Sequence, residues 1–538
     1  MDHDDDEEVG FIAESHYLKS RDAQQAIKLL QVPRTERDPS ISSSVSELDV
    51  PIYSQENLTT RPVRDIQGGY TKHLGFAIAA AAFGSSFQHG YNTGVLNNPQ
   101  KVIEEWIKQT IYHRTAEIPP ESLITIIWSI AVSIFCVGGM IGGAITGMVA
   151  DRFGRKGGLL LNNILVVTAA ALEGSSKSAG SYEMIILGRF LIGISSGLNA
   201  GLVPMYLNEI SPMNLRGAVG TVYQLIITIS ILLAQALGLR SALGSETTWH
   251  LLLAFTVIPA IFQLATLPFC PESPKFLLVT KGKELEAQRA LTWLRGSASV
   301  HEEMDEMRSE FEAMKLIPKA SVRELISNNA LRIPLIISLT IMVAQQLSGI
   351  NAVMFYSTEI FKMTGLSDEN ATYATMGMGF INVLMTVVSL VLVERSGRKT
   401  LLLIGFGGMA VVSFLLTIAM IFSKSSVAAS YICIILVLLF VIMFAIGPGS
   451  IPWFLVSELF NQSARPTATS LAVATNWAAN FLVGIGFLPI QKALGSYVFI
   501  IFSVILVLSC VFIYKKVPET KNKTMEEISS MFRQQSYQ

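Results

Sequence analysis

The stretch Asp151-Arg-Phe-Gly-Arg-Lys156 decides the fold, because it returns 243 positions later as Glu394-Arg-Ser-Gly-Arg-Lys399. Two more patterns return at nearly the same offset and in the same order. Glu209 and Arg216 are spaced like Glu458 and Arg465, 249 positions on, and Pro271-Glu-Ser-Pro-Lys275 resembles Pro518-Glu-Thr-Lys521, 247 positions on. Three independent patterns sharing one period argue that half of the chain is a copy of the other half. Each copy holds an even number of apolar runs, so the copies share one orientation. Parallel repeats around a cavity are the architecture of alternating-access carriers.

Working outward, the surroundings of these patterns are apolar. Of the 538 residues, 51% are hydrophobic and only 15% are charged, where a soluble domain carries roughly 25% charged residues. That excludes an ordinary soluble domain and a disordered chain. Apolar runs centre near residues 85, 135, 165, 195, 230 and 260, then near 345, 382, 410, 440, 477 and 505. Lipid cannot satisfy open backbone groups, so helices are the economical reading, and nothing alternates as barrel strands do. The fold class expected is an all-α membrane protein of about twelve transmembrane helices in two six-helix halves.

The remaining segments fall into place around the two halves. Residues 1–70 open with the acidic run Asp2 to Glu8, hold the Ser40–Ser46 patch, and read as a disordered cytosolic tail with a short helix near Asp22–Leu30. Residues 71–270 and 331–514 are the halves, 271–330 a charged helical linker, and 515–538 a C-terminal tail. Basic residues follow the even-numbered runs, at Arg152, Arg155, Lys156, Arg216, Arg395, Arg398, Lys399, Arg465, Lys515 and Lys516. The positive-inside rule then sets both termini and the linker in the cytosol. Net charge is -1, so no nucleic-acid partner is expected. Cys136, Cys270, Cys433 and Cys510 lie in apolar runs without zinc spacing and read as buried thiols.

Polar residues inside the runs are mostly amides. A sugar hydroxyl donates and accepts, and so does an Asn or Gln side chain. Gln224, Thr228, Ile231 and Gln235 follow one helix face, and Asn476 and Asn480 are one turn apart. Ser348-Gly349 separates Gln345 and Gln346 from Asn351, which suggests a break that lets them converge. Gly447, Pro448, Gly449 and Pro452 interrupt the tenth run, and interrupted helices line transport sites. Trp453 just beyond offers a flat face to a sugar ring. The charged residues Asp151, Arg152, Arg155, Glu209 and Arg216, with Glu394, Arg395, Arg398, Glu458 and Arg465, are expected to form cross-half salt bridges that shut the cytosolic side.

Taken with Gly90-Tyr-Asn-Thr-Gly-Val95, Gln345-Gln-Leu-Ser-Gly-Ile-Asn351, Gly447-Pro-Gly-Ser-Ile-Pro-Trp453 and Val517-Pro-Glu-Thr520, the repeated patterns resemble the sugar-porter branch of the major facilitator superfamily. The likeness is greatest to the facilitative glucose transporters of animals. It implies hexose ligands at Gln224, Gln345, Gln346, Asn351, Asn382, Trp453 and Asn480. It also implies cavity lining or an outer gate at Asn92, Ile227, Ile231, Phe355, Tyr356, Phe444 and Trp477. Proton-driven relatives carry Asp at the position of Asn92, so the resemblance implies downhill transport of hexose with no cofactor, nucleotide or ion. The alternatives are a proton-coupled symporter and a sugar-sensing receptor. An enzyme is not expected, since no Ser/His/Asp, metal or phosphate-cradling constellation stands out. Three residues depart from the common pattern. Ala445 stands for a Glu, Phe355 for a Tyr, and His89 for a Phe, with His89 read as a packed or water-bonded ring. Little or no N-glycan is expected, although Asn57-Leu-Thr59 and Asn370-Ala-Thr372 match the acceptor pattern.

Overall fold

The computed structural model describes residues 69–538, apart from positions 213, 214, 317, 462, 463, 522 and 524. The expected tail, with its helix near Asp22–Leu30 and Asn57-Leu-Thr59, lies outside the described residues except for its last two positions. Among the described residues all regular structure is helical. Nine segments are long and apolar enough to cross a bilayer, and one of them, Arg465–Lys516, holds two helices that meet at Gly495–Tyr497. Val222–Leu237 is a shorter apolar helix, and Lys72–Gly94 is broken by a π-helical turn over Ala82–Ser86. With these the described residues make twelve traverses, six before the linker and six after it.

In chain order the first half comprises Lys72–Gly94, Glu121–Phe153, Arg155–Ala179, Glu183–Ile210, Arg216–Leu237 and Trp249–Phe269. The second comprises Asn329–Met363, Asp368–Arg395, Arg398–Phe422, Val427–Leu459, Arg465–Leu494 and Val498–Lys516. These are the first to twelfth spans below.

Packing inside the first half follows from small residues. Gly138 and Gly142 on the second span meet Gly193 and Gly197 on the fourth. A Cβ on Gly142 would stand 2.2 Å from the Ile194 carbonyl, and one on Gly193 would stand 2.2 Å from that of Phe135. Glycines one turn apart on both helices let the backbones touch, which is how helices associate where lipid supplies no hydrophobic drive.

The linker helices Glu284–Arg295 and His301–Lys315 share a small core of Ala287, Leu291, Val300 and Met304. They are tied to the start of the first span. Thr71 Oγ1 donates to the Leu294 carbonyl at 2.7 Å, and the His73 ring stacks on Trp293 at 4.4 Å. Arg295 pairs with Glu303 at 2.9 Å and donates to the Ile210 carbonyl at 2.7 Å. This end of the bundle is the linker side. Residues 515–538, expected as a tail, include the helix Met525–Ser536, whose Ile528 and Phe532 are buried against the seventh and tenth spans.

Candidate functional site

The seventh span breaks where its sequence suggested. The first helix ends at Leu347, Gly349 takes φ +98 and the next helix starts at Ile350. A positive φ of this size suits glycine, and a Cβ there would also meet the Phe502 ring at 2.9 Å. The tenth span stops at Ile446 and resumes at Ile451. Carbonyls freed by such a break need donors when buried. Gln345 supplies them, its Nε2 reaching the carbonyls of Pro448 at 2.7 Å and Gly449 at 3.1 Å. The two interruptions therefore lie together, bridged by one amide.

Around Gln345 the second half builds an amide cluster. Gln345 Oε1 accepts from Asn476 Nδ2 at 2.8 Å and from Gln346 Nε2 at 3.2 Å. Gln346 Nε2 also reaches Asn476 Oδ1 at 3.0 Å. Gln346 Oε1, Asn351 Nδ2 and Asn480 Oδ1 are buried with no partner. Buried polar atoms normally have one, so these three are open to a partner. The sequence reading missed the part played by Asn476, although its spacing from Asn480 was the signal.

The other expected ligands differ in exposure. Gln224 is exposed, Asn382 is half-buried and Trp453 is 40% exposed. Gln235, expected on the same face as Gln224, is instead buried against the eighth span, where a Cβ on Gly379 would stand 2.1 Å from its Oε1. Trp477 on the eleventh span lies on the second, its ring 2.7 Å from where a Cβ on Gly139 would be. Phe444 is half-buried, and Ile227 and Ile231 pack on Gly90 and Gly94 of the first span. Asn92, expected as lining, belongs to the wall of the first half. It is 1% exposed, donates to Thr256 Oγ1 at 3.0 Å, and its carbonyl accepts from Arg189 at 2.6 Å.

The end away from the linker is closed across the seam. Asn97 of the first half donates to the Met354 carbonyl and accepts from the Ser357 N–H at 3.1 Å. Asn98 Oδ1 accepts from Thr358 at 2.8 Å, and Lys492 donates to Thr125. Phe355 and Tyr356, expected at the outer gate, are buried here, and the Tyr356 hydroxyl donates to the Gly484 carbonyl at 2.9 Å.

On the linker side the repeated motifs fold into two matching knots. Glu272 accepts from the N–H groups of Lys156 and Gly157 at 2.9 and 3.3 Å, and Glu519 does the same for Arg398 and Lys399 at 2.9 and 3.2 Å. Each carboxylate caps a helix N-terminus, where negative charge is favoured. A Cβ on Gly154 or Gly397 would stand 2.5 or 2.3 Å from that carboxylate, which explains the glycine in both copies. Ser273 donates to Glu209, and Thr520 to Glu458. Arg155 then donates to Glu209 at 3.0 Å, and Arg398 to Glu458 at 3.1 Å.

The expected cross-half pairing differs from this arrangement. Among the described residues the ion pairs formed by these motifs run within one half. The reason is local, because each Gly-Arg turn sets its arginine beside the glutamate of its own half. Asp151, Arg152 and Arg395 are exposed, Arg465 donates to the Phe460 carbonyl at 3.1 Å, and the side chains of Arg216 and Glu394 lie outside what is described.

A further pair escaped the sequence reading. Glu173 of the third span is 1% exposed, with Oε1 unpartnered and Arg189 as its electrostatic neighbour. Arg189 is also 1% exposed, and its guanidinium lies 4.6 Å from the centre of the Phe135 ring. An acid sixteen positions before an arginine crosses a loop and carries no periodic signal.

Two duplicated helical halves, interrupted helices and an amide cluster at their seam define a membrane carrier. Residues 77–532 match the family model described as "Sugar (and other) transporter", and the chain belongs to that family. It is 48% identical over 467 residues to the mouse protein "Solute carrier family 2, facilitated glucose transporter member 3", covering 87% of this chain and 94% of that one. It is likewise 48% identical over 464 residues to "Solute carrier family 2, facilitated glucose transporter member 1" of Gallus gallus, covering 86% and 94%. Among solved structures, the partially occluded inward open conformation of the xylose transporter XylE from E. coli superimposes with a TM-score of 0.71 at 26% identity. That match covers 84% of this chain and all of the other. The protein is a multi-pass membrane protein of the sugar transporter family.

Proposed function

We propose that the chain is a facilitative hexose uniporter, working by alternating access in the plasma membrane with D-glucose as its main substrate. The observation that carries this reading is the amide cluster at the broken seventh and tenth spans. Gln346, Asn351 and Asn480 hold buried polar atoms without partners there, and neutral hydroxyls satisfy such atoms without bringing charge into the membrane. Likeness to facilitated glucose transporters across most of both chains supports the choice of sugar. The linker side and both termini face the cytosol in this reading, and the two knots are the surfaces that meet when that side closes. Asn92 cannot titrate, so no proton is carried at that position.

Selectivity rests on which hydroxyls meet a partner. A misplaced hydroxyl leaves a buried amide unpaired at a cost of about 1–3 kcal/mol, so selectivity is real and incomplete. The test is uptake of labelled D-glucose, L-glucose and D-fructose at equal concentration into proteoliposomes. D-glucose is expected to enter fastest. Fructose outpacing it, or L-glucose matching it, overturns the assignment.

A second reading has one observation in its favour. Glu173, buried beside Arg189, is a carboxylate inside the first half, and a proton-coupled symporter needs such a group. Loss of gradient-driven sugar accumulation in Glu173→Gln would mark that reading as correct.

A further inference from the structure

His89 departs from the role of a packed ring. It sits on the first span among buried neighbours, Gln88, Gly90, Tyr91 and Asn92, yet is itself half-buried. Its ring faces two other spans. Nδ1 bonds the Tyr223 hydroxyl of the fifth span at 2.9 Å. The ring plane lies 28° from that of Trp477, centre to centre 6.3 Å. Trp477 belongs to the second half and directly follows Asn476 of the amide cluster. His89 therefore stands at the seam, in contact with the fifth span of its own half and with Trp477 of the other. Tyr223 in turn precedes Gln224, whose side chain is exposed.

The chemistry of the ring suits a hydroxyl in either tautomer. One ring nitrogen of a neutral imidazole donates and the other accepts. If Tyr223 donates to Nδ1, Nε2 carries the proton and donates. If Nδ1 donates to Tyr223, Nε2 accepts. A sugar hydroxyl can answer both, and among the described residues Nε2 has no hydrogen-bond partner. The bond to Tyr223 and the ring contact with Trp477 hold the imidazole in one orientation, which lowers the entropy lost on binding.

We propose that His89 binds one hydroxyl of the transported hexose through Nε2, held in place by Tyr223, and so helps to determine which sugars are preferred. This rests on the hexose-carrier reading above. The amide cluster then grips the sugar from the second half, and His89 adds a contact from the first.

The test is zero-trans uptake of D-glucose and its monodeoxy analogues by the full chain in proteoliposomes. His89→Phe keeps a flat ring and removes both nitrogens. Its KM for D-glucose is expected to rise about 5- to 10-fold, the worth of one buried hydrogen bond, with kcat within about twofold. For one analogue, the one lacking the bonded hydroxyl, wild type and His89→Phe are expected to share the same KM. His89→Gln restores a donor and acceptor and is expected to return the D-glucose KM to within about threefold of wild type. Tyr223→Phe is expected to raise KM in wild type and to add nothing in His89→Phe, since it acts through His89.

An unchanged D-glucose KM in His89→Phe overturns the proposal. An equal rise for every analogue does so as well, because a packing residue has no preferred hydroxyl. If His89→Phe fails to reconstitute, His89→Leu is judged by the same two criteria. Failure of wild type to move D-glucose, with every variant also silent, counts against the hexose reading instead.

Discussion

In the first half, Gln88 donates to Asn163, Asn163 to Gln263 and Gln263 to Ser85, at 3.2, 2.9 and 2.8 Å. In the second half, Gln345, Gln346 and Asn476 also bond one another, but Gln346 keeps a buried oxygen without a partner, as does nearby Asn480 on the eleventh span. Residue type is the same in both regions, and depth is nearly so. What differs is completeness. The chain Gln88–Asn163–Gln263–Ser85, none of which has a buried polar atom without a partner, holds the first, third and sixth spans together, as interhelical hydrogen bonds do. In the proposed reading, the incomplete set beside two interrupted helices receives the sugar. Gly84 sharpens the contrast, because a Cβ there would stand 2.5 Å from Gln263 Nε2. The first network is closed tightly enough to exclude even a methyl group.

Replacing one amide in each region separates the two roles. Gln346→Leu is expected to give the largest effect. It removes a ligand, so the KM for D-glucose rises roughly 5- to 150-fold, and it also takes the donor from buried Asn476 Oδ1, so stability falls by about 1–3 kcal/mol. Gln263→Leu leaves the sugar ligands in place. It strands the Ser85 hydroxyl, takes one of two acceptors from Asn163 Nδ2, costs about 1–3 kcal/mol of stability, and leaves KM within about twofold in the protein that survives. Thermal melts and uptake on the same preparations check both. If both substitutions raise KM equally, completeness is not what divides ligand from glue.

A smaller effect is expected at the closed end of the seam, where a carboxylate sits among charges of both halves. Glu104 lies on the helix Gln100–Thr115, outside the spans. Burial pushes its pKa up to about 7. Gln100, Lys492 and Lys101 oppose that push, and Glu359 adds to it. An exposed glutamate titrates near 4.5, so the proton is held more tightly when this end is closed. Protonation therefore favours closure. The destabilising contribution is absent below about 4.5, grows as pH rises, and is fully present above about 7. Spin labels at the exposed Tyr112 and Tyr431 should report more of the open arrangement at pH 8 than at pH 5.5. Glu104→Gln should hold the low-pH distribution at both. A pH response that survives in Glu104→Gln assigns it to another group.

Much of this was legible in the sequence. The repeat at Asp151 and Glu394 gave the duplicated architecture because helix caps and loop charges are local, and the two knots use equivalent carboxylates, with the capped N–H groups one position earlier in the second copy. The breaks at Ser348-Gly349 and Gly447-Pro448 were legible for the same reason, since glycine and proline act on their own turn. The partners of the motif arginines were not. Pairing within or across the halves depends on how the halves stand, and no residue pattern encodes that. Glu173 and Arg189 were missed because their neighbourhood is created by packing of the third and fourth spans. Asn92 read as lining from its place in a motif, whereas its rotation into the wall of the first half is set by Thr256 and Arg189.

The central claim is downhill carriage of hexose. Its most direct test is D-glucose uptake by purified protein in proteoliposomes, with and without an imposed inward proton gradient. The account expects labelled sugar to reach the external concentration in both cases, at similar rates, and to stop there. Accumulation above that level when the gradient is imposed would contradict it.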